Sequence, residues 1–260
     1  MALNFDSLVI DRVVDITLEN DDDLLCILNN ISGVSINTSS ESKDKTDAQG
    51  VLIKRFFTAK QVEVSGEMNV WSLSATAEQM GTEKITGAIT APKILKFDTT
   101  GITEYTIPEK IRPNVALSKL YAVNPNGTLG QVYKVGTAAS DTEFAYNEET
   151  GVISLPTGMT GMAVVKYNYD SANGVKVVQT ADKFPRTVSM TMKVLVADTC
   201  SVDVLRAAYI VFPSFQLSPD FDLSLETDST ISFSGIAQRD YCSVGAELYY
   251  IVLTEDDVEE

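Results

Sequence analysis

A run of alternating apolar and polar residues between Val188 and Phe233 constrains the fold of this chain more than any other feature. In its first part the apolar residues stand at every second position: Val188, Met190, Met192, Val194 and Val196. Its later part repeats the pattern with Phe221, Leu223 and Leu225. A period of two places one set of side chains on a core face and the other toward water. Because a slip of one residue would reverse every side chain, the pattern predicts an antiparallel sheet of defined register.

The charge balance bears on the class of partner. The 260 residues include 20 basic and 36 acidic ones, which gives a formal net charge of −16. Such a surface repels free nucleic acid, because recognition of phosphates requires Lys and Arg. Two interpretations stay open: a surplus of charge that favours solubility, and a specific use of negative charge.

The residues that usually carry chemistry are scarce. The chain has no histidine, the commonest metal ligand and general base. Cys26, Cys200 and Cys242 stand alone, a pattern typical of reduced thiols and not of a zinc or redox site. We find no nucleotide-binding, serine-hydrolase or zinc-protease motif. We therefore expect no enzymatic activity, no cofactor and no metal ion. No apolar run approaches the ~20 residues that cross a bilayer, so we expect no membrane association.

Residues 65–81 predict the one convincing helix. Its apolar residues form a stripe at helical spacing: Val70, Leu73, Ala77 and Met80. We expect Ser65 or Asn69 to cap its start. We also expect Trp71 and Leu73 to anchor it, in the core or at an interface, as it packs across an open end or face of the sheet.

Residues 37–50 have a different composition. The segment NTSSESKDKTDAQG has one alanine and no large apolar side chain, so it predicts a mobile, exposed loop. A loop of this length inside a compact domain is often functional. It is either a tolerated hairpin insertion or a surface that becomes ordered on contact with a partner.

Closely spaced turn signals separate the middle of the chain from its flanks. Short strands at intervals of roughly 8–12 residues indicate a small sandwich between residues 98 and 178. We predict an inserted immunoglobulin-like β module at 98–178 and a discontinuous β domain formed by residues 1–97 and 179–260. The alternative is that the middle strands extend one large sheet. The predicted class is mainly β: an antiparallel β-sandwich or half-barrel with one flanking α-helix and the inserted module.

Three stretches carry a family resemblance. The helix segment SGEMNVWSLSATAEQMG follows a strand, and the later runs KFPRTVSMTMKVLVADT and FPSFQLSPDFDLSLETDSTISFSGIA accompany it. Together they resemble the major tail tube proteins of long-tailed bacteriophages. The segment GMAVVKYNYDSANGV between them also resembles segments of phage virion proteins.

The resemblance implies a structural virion protein. Six subunits would close into a ring whose sheets join in one β-barrel, and the rings would stack into a tube for the genome. A long loop would reach the neighbouring ring, and its candidate residues here are Ser40, Glu41, Lys43, Asp44, Lys45 and Asp47. The inserted module would decorate the outside. The implied partners are further copies of the chain, the tape-measure protein and a sheath, in a virion tail assembled in the host cytoplasm.

A tube that must not hold DNA should present carboxylates to its lumen, because DNA carries dense negative charge. We hypothesise that the polar face of the predicted Phe221–Leu225 strand lines that lumen with Asp220, Asp222 and Glu226. DNA would then pass through without tight binding.

Other functions remain open. One is another virion part, such as a head decoration or tail terminator protein, which would not polymerise into tubes. A second is a carbohydrate-binding or adhesive β-sandwich, supported by the aromatic residues Tyr121, Tyr133, Tyr167 and Tyr169. An enzyme comes last, since an acid pair in a cleft is the only chemistry left to it.

Overall fold

The computed structural model describes residues 5–20, 23–239 and 247–259, with the backbone only for 201–203 and 255–259. Cys242 lies outside the described residues. The strands, in chain order, are β1 (Leu8–Asn20), β2 (Asp23–Asn29), β3 (Ile31–Thr46), β4 (Leu52–Met68), β5 (Ile85–Asp98), β6 (Glu104–Thr106), β7 (Lys119–Val123), β8 (Leu129–Gly136), β9 (Glu143–Asn147), β10 (Val152–Ser154), β11 (Met162–Lys176), β12 (Thr187–Asp198), β13 (Ser201–Leu217), β14 (Ile231–Ala237) and β15 (Tyr250–Glu259). Among the described residues, the α-helix α1 (Leu73–Gln79) is accompanied by a 3₁₀ turn at Glu109–Ile111. The predicted mainly β class with a half-barrel and a single α-helix is confirmed.

The chain divides into two compact units. Unit 1 consists of Met1–Lys84 and Val177–Glu260, and unit 2 of Ile85–Lys176. The sequence had placed the first of these boundaries near residue 98. The boundary falls earlier because β5 pairs with β11 along its whole length, from Ile85 opposite Lys176 to Asp98 opposite Met162.

Unit 1 is built on an eight-stranded sheet that curls into a half-barrel. Its order is β2-β1-β12-β13-β14-β4-β3, and β15 pairs with β13 beside this path. β12 lies between β1 and β13, and its alternating residues from Val188 to Val196 are buried as the sequence predicts. They pack with residues of the neighbouring strands: Ile16, Leu18, Val62, Val64, Phe212, Phe215 and Phe233.

Residues 218–230 do not form the strand that their alternation predicts. This segment joins β13 to β14 irregularly, with one isolated bridge from Leu223 to Ile231, and Leu225 is 78% exposed. Pro219 has no N–H to donate to a ladder. The Ser229 hydroxyl donates to the carbonyl oxygens of Ser224 and Glu226. Such local bonds from side chain to backbone compete with strand pairing.

The helix α1 is shorter than the predicted 65–81. Its first predicted turn belongs to β4 instead, because residues 65–68 pair with β14 and β3. The N-cap is Ser72, whose hydroxyl accepts from the Ala75 N–H, and not Ser65 or Asn69. The buried side of the helix consists of Ala75, Thr76, Ala77 and Gln79.

Two contacts fix the C-terminal end of α1 to the chain that leads into β12. The Arg186 guanidinium donates to both carboxylate oxygens of Glu78, at 3.0 and 2.9 Å. Gly81 follows the helix at φ +66°, and a Cβ there would collide with the backbone of Phe184. Only glycine meets both demands, a left-handed conformation and a close backbone approach.

Residues 37–50 form part of a β-hairpin and not the predicted mobile loop. β3 extends to Thr46, and β4 begins at Leu52, so the turn itself covers only a few residues. Pairing continues from Asn37 opposite Glu63 to Thr46 opposite Leu52. A ladder satisfies the backbone groups of a polar segment even where its side chains bury nothing.

Unit 2 is a seven-stranded sheet of order β5-β11-β7-β8-β9-β10-β6, antiparallel except for the β8–β9 pair. Its two ends meet: the ring of Phe97 on β5 stacks on that of Tyr105 on β6, with centroids 4.0 Å apart. The sheet therefore closes over its own core, which includes Leu120, Phe144, Ile153, Ala163 and Val165.

The junction of α1 with β12 yields a stability prediction. Replacing Gly81 by Ala should destabilise the protein by ~3 kcal/mol, because it adds backbone strain and displaces the Phe184 backbone. Gly33 is the matched control: it has φ +60°, but a Cβ there meets nothing within 4 Å. Gly33→Ala should cost only ~1 kcal/mol. Thermal unfolding followed by circular dichroism measures both, and equal losses would contradict the close approach.

Candidate functional site

The outer part of the β3–β4 hairpin is a projecting surface. We call residues 37–61 the arm, and every side chain in it is exposed. Val62 is the first buried residue of β4, and the residues of β4 that precede it belong to the arm. Ten residues from Leu52 to Gln61 correspond to ~33 Å of extended strand.

Apolar side chains lie on both faces of the arm. Phe57 lies on one face and Phe56 on the other, because alternate residues of a strand point oppositely. A register shift next to Lys54 interrupts this alternation at Ile53 and Leu52. Phe57 is 71% exposed and Phe56 46%. A two-stranded ribbon in water is marginally stable by itself. Exposed apolar groups on both faces are typical of a surface that contacts other proteins.

The charges of the arm are sorted between its faces. On the Phe57 face, the Arg55 guanidinium donates to Asp44 at 2.7 and 2.8 Å. On the other face, the ammonium of Lys54 lies 5.1 Å from the centroid of the Phe56 ring, a cation–π contact. The register adds Lys43 and Lys45 to that second face.

The arm is basic within an acidic chain. Its basic residues are Lys43, Lys45, Lys54, Arg55 and Lys60, and its acidic residues are Glu41, Asp44 and Asp47. Five minus three gives a net charge of +2, against −16 for the chain. The arm is therefore complementary in charge to most of the protein's own surface.

The six residues predicted to contact a neighbouring ring all lie in the arm. Ser40 stands at a bulge opposite Ala59, which has φ 49°. Asp47 shapes the turn, because its Oδ1 accepts from the N–H groups of Gln49 and Val51. The sequence prediction missed the apolar residues of the arm, although the run VLIKRFF directly follows the predicted loop.

The face of the unit 1 sheet that points away from its hydrophobic core is polar. We call it the polar sheet face. On β4 it presents Glu63, Ser65 and Glu67, between the buried residues Val62, Val64 and Met68. The register places these polar residues beside a row on β14: Ile236, Ser234 and Ser232. On β1 the same face carries Asp15, Thr17 and Glu19, beside Lys193, Thr191 and Ser189 of β12.

The net charge of the protein resides entirely in unit 1. Residues 85–176 contain eight basic and eight acidic side chains, so unit 2 is neutral. Unit 1 therefore has 20 − 8 = 12 basic and 36 − 8 = 28 acidic residues, a net charge of −16. The acidic polar sheet face thus belongs to the acidic unit.

The three predicted lumen residues Asp220, Asp222 and Glu226 lie in the irregular segment between β13 and β14. Asp220 and Asp222 line an open cleft of about 630 Å³, together with Met80, Gln179 and Ser232. Because the segment is no strand, these carboxylates do not form a ladder. Glu63 and Glu67, whose alternation with Val62 and Val64 was visible in the sequence, do lie on a strand.

The predicted helix anchors differ in exposure. Trp71 is 52% exposed, and its indole N–H donates to the Thr76 hydroxyl at 3.0 Å. Leu73 is half-buried. Of the two roles that the sequence left open for Trp71, core or interface, its exposure favours the interface.

Two further features bear on chemistry. Burial raises the pKa of the Cys26 thiol to about 12, which keeps it protonated and unreactive at neutral pH. Among the described residues, no group of three or more His, Cys, Asp and Glu side chains could hold a metal ion. No described helix has the length and apolar character of a membrane span.

Comparison with known proteins assigns this chain to a family. A sequence model of the YomU/Tube protein family matches residues 8–238. The match runs from the start of β1 to just past β14 and so includes residues of both units. No curated protein matches the chain.

The ion pair of the arm yields a titration prediction. The Arg55 guanidinium holds the pKa of Asp44 below its ordinary value of 3.8. The pair therefore persists above that value and is lost as the pH falls through the lowered pKa of Asp44. Arg55→Gln should return the pKa of Asp44 to the ordinary range. NMR titration of the Asp44 carboxyl carbon measures this, and an unchanged pKa would contradict the pairing.

Proposed function

This chain belongs to the YomU/Tube protein family, and on that premise we propose that it polymerises as stacked hexameric rings into the tail tube of a phage. The family indicates a structural protein of a phage tail tube, located in the virion tail and assembled with itself and other tail proteins. The rings, the conduit and the surfaces that build them are our inference.

The arm is the observation that carries this proposal. It exposes Phe57 on one face and Phe56 on the other, so each face needs a covering surface. Contacts with neighbouring copies in the tube supply both. The net charge of +2 favours docking on the acidic unit 1 of the next ring. Ser40, Glu41, Lys43, Asp44, Lys45 and Asp47 form the polar part of this contact.

The edges of the unit 1 sheet support ring closure. β2 and β3 stand at the two ends of the strand order, with no further described strand beyond them. An unpaired edge offers N–H and C=O groups to another strand. In a closed ring, each copy satisfies the edge of the next, and the half-barrels join into one continuous barrel.

The polar sheet face supports an acidic conduit. Serine and threonine side chains alternate there with Asp15, Glu19, Glu63 and Glu67, and these four carboxylates outnumber the one lysine, Lys193. Turned toward the lumen, such a surface repels phosphates and lets DNA pass without tight binding. The cleft residues Asp220 and Asp222, with Glu226, add negative charge at the same unit.

The remaining surfaces have proposed roles in the virion. Residues 85–176 form an inserted β module on the outside of the tube. Trp71 contributes to a subunit interface. The tape-measure protein fills the lumen before DNA passes, and a sheath surrounds the tube if the tail is contractile. Assembly takes place in the host cytoplasm.

A variant of the arm tests polymerisation. Phe57→Ser should abolish tubes seen by negative-stain electron microscopy, since it removes an apolar contact from a face that needs covering. The melting temperature of the unassembled protein should stay within ~2 °C of the wild type, because Phe57 buries little surface there.

Val115→Ser is the matched control, since Val115 is 65% exposed and lies in unit 2, outside the arm. Tubes of normal length are expected. Discrete wild-type oligomers that never stack would favour a decoration or terminator protein instead. Normal tubes from Phe57→Ser would show that the arm is not the stacking contact.

A charge reversal tests the conduit. Assembled wild-type tubes should retain no double-stranded DNA at low salt. Tubes of the double variant Glu63→Lys and Glu67→Lys should retain it, with a logarithmic salt slope of about −0.9 for each phosphate neutralised. Glu104→Lys with Glu109→Lys, on unit 2, is the control and should leave DNA unbound within the lumen. Equal behaviour of all tubes in filter binding would contradict a lumen lined by the polar sheet face.

A further inference from the structure

Unit 2 carries exposed lysines on four neighbouring strands of its sheet. They are Lys96 on β5, Lys166 on β11, Lys119 on β7 and Lys134 on β8. The sheet order places these strands side by side. Alternation turns all four side chains away from the core, since their neighbours Phe97, Val165, Leu120 and Tyr133 are buried. We call this surface the lysine face.

The register brings the lysines next to one another. Lys119 lies directly opposite Lys134. Val164 of β11 lies opposite Lys96 on one side and opposite Tyr121 on the other. Lys166 and Lys119 each lie two residues from this point, on the same exposed side of the sheet. Like charges in opposed positions destabilise a sheet. The opposed pair of Lys119 and Lys134 therefore costs stability in the isolated unit and points to an anionic partner.

The lysine face has little internal neutralisation. In the described part of the chain, ion pairs join Arg12, Arg55 and Arg186 to carboxylates, but none involves these four lysines. Glu143 on β9 stands opposite Lys134 at the border of the face. Asp98, two residues after Lys96, and Asp170, four residues after Lys166, lie on the same side of the sheet, but neither forms an ion pair with these lysines.

Apolar side chains are interspersed among the lysines. Ile94, opposite Lys166, is 61% exposed, and Val132, opposite Tyr121, is also exposed. A polyanion in solution binds through charge and hydrogen bonds, and the exposed apolar side chains would add little to its affinity. Apolar groups among charges are typical of a protein–protein contact. The composition of the face thus selects an acidic protein surface over a nucleic acid.

We propose that the lysine face docks on the acidic unit 1 of a second copy of this chain. Unit 1 has a net charge of −16, so the chain itself provides the complementary surface. This inference rests on the proposed function in one respect: stacking holds copies at high effective concentration, where a modest contact suffices. Unit 2 then braces neighbouring subunits in addition to decorating them.

Zero-length cross-linking tests this contact directly. Unlabelled and ¹⁵N-labelled full-length protein are mixed, assembled and treated with a carbodiimide that joins touching amines and carboxylates. Mass spectrometry should find mixed-isotope peptides that link Lys119, Lys134 or Lys166 to Asp or Glu of residues 1–84 or 177–260. Links within one isotope only would assign the contact to a single copy and overturn the proposal. Absence of such links in assembled protein would overturn it as well.

Charge variants supply an independent readout. Lys119→Gln with Lys134→Gln should raise the critical concentration for assembly about tenfold at low salt, and the difference should shrink as salt is added. Removing the repulsion between the two lysines should leave the melting temperature unchanged or higher, which separates docking from a folding defect. Lys110→Gln with Lys176→Gln, elsewhere on unit 2, is the matched control and should behave as the wild type.

Three outcomes separate the alternatives. Tubes with no effect of Lys119→Gln and Lys134→Gln would overturn the docking and leave the proposed function intact. Wild-type protein that forms no tubes but shows the mixed-isotope links would overturn the proposed function and keep the contact. Binding of a short double-stranded DNA by the wild type, lost in this variant, would assign the lysine face to a polyanion and overturn the proposal.

Discussion

The burial of one face of the unit 1 sheet is the constraint on which the rest of the structure depends. Met190 and its neighbours on β12 pack against Phe212 and Phe215, and this core holds the half-barrel together. Since side chains alternate, the same strands must turn an equal number of residues the other way. Glu63 and Glu67 share a surface for that reason. The polar face that the proposed conduit needs is thus a geometric consequence of the core.

The arm differs from the rest of the sheet, because neither of its faces packs against a hydrophobic core. Its ladder satisfies the backbone, the fork from Arg55 to Asp44 links its strands, and its apolar side chains remain in water. An exposed ion pair contributes little to stability, so this hairpin gains most when another surface covers it. The lysine face of unit 2 presents a related situation in charge, since Lys119 and Lys134 lie opposite each other and an acidic partner would relieve their repulsion. Both features connect folding to assembly.

Much of the fold was predictable from the chain because its signals are local. The alternation from Val188 to Val196 identified β12 and its buried face. Residues 218–230 carry a similar pattern, yet Pro219 and the hydroxyl of Ser229 divert the backbone from pairing. In the same way, the helical stripe of residues 65–81 competed with a ladder to β14, and the ladder prevailed as far as Met68. Where the backbone hydrogen bonds of a segment can be made in two ways, residues distant in the sequence decide which secondary structure forms.

The sequence by itself determined the mainly β class, the scarcity of catalytic residues and the acidic balance, because composition and periodicity are properties of the chain alone. The tertiary structure decided which carboxylates share a face, that the arm is a ladder, and that lysines of four strands meet. Lys119 and Lys166 are 47 positions apart, and only the pairing of β7 with β11 places them on one face of the same sheet. Strand pairing is non-local, so surfaces built across strands become visible only once the sheet has formed.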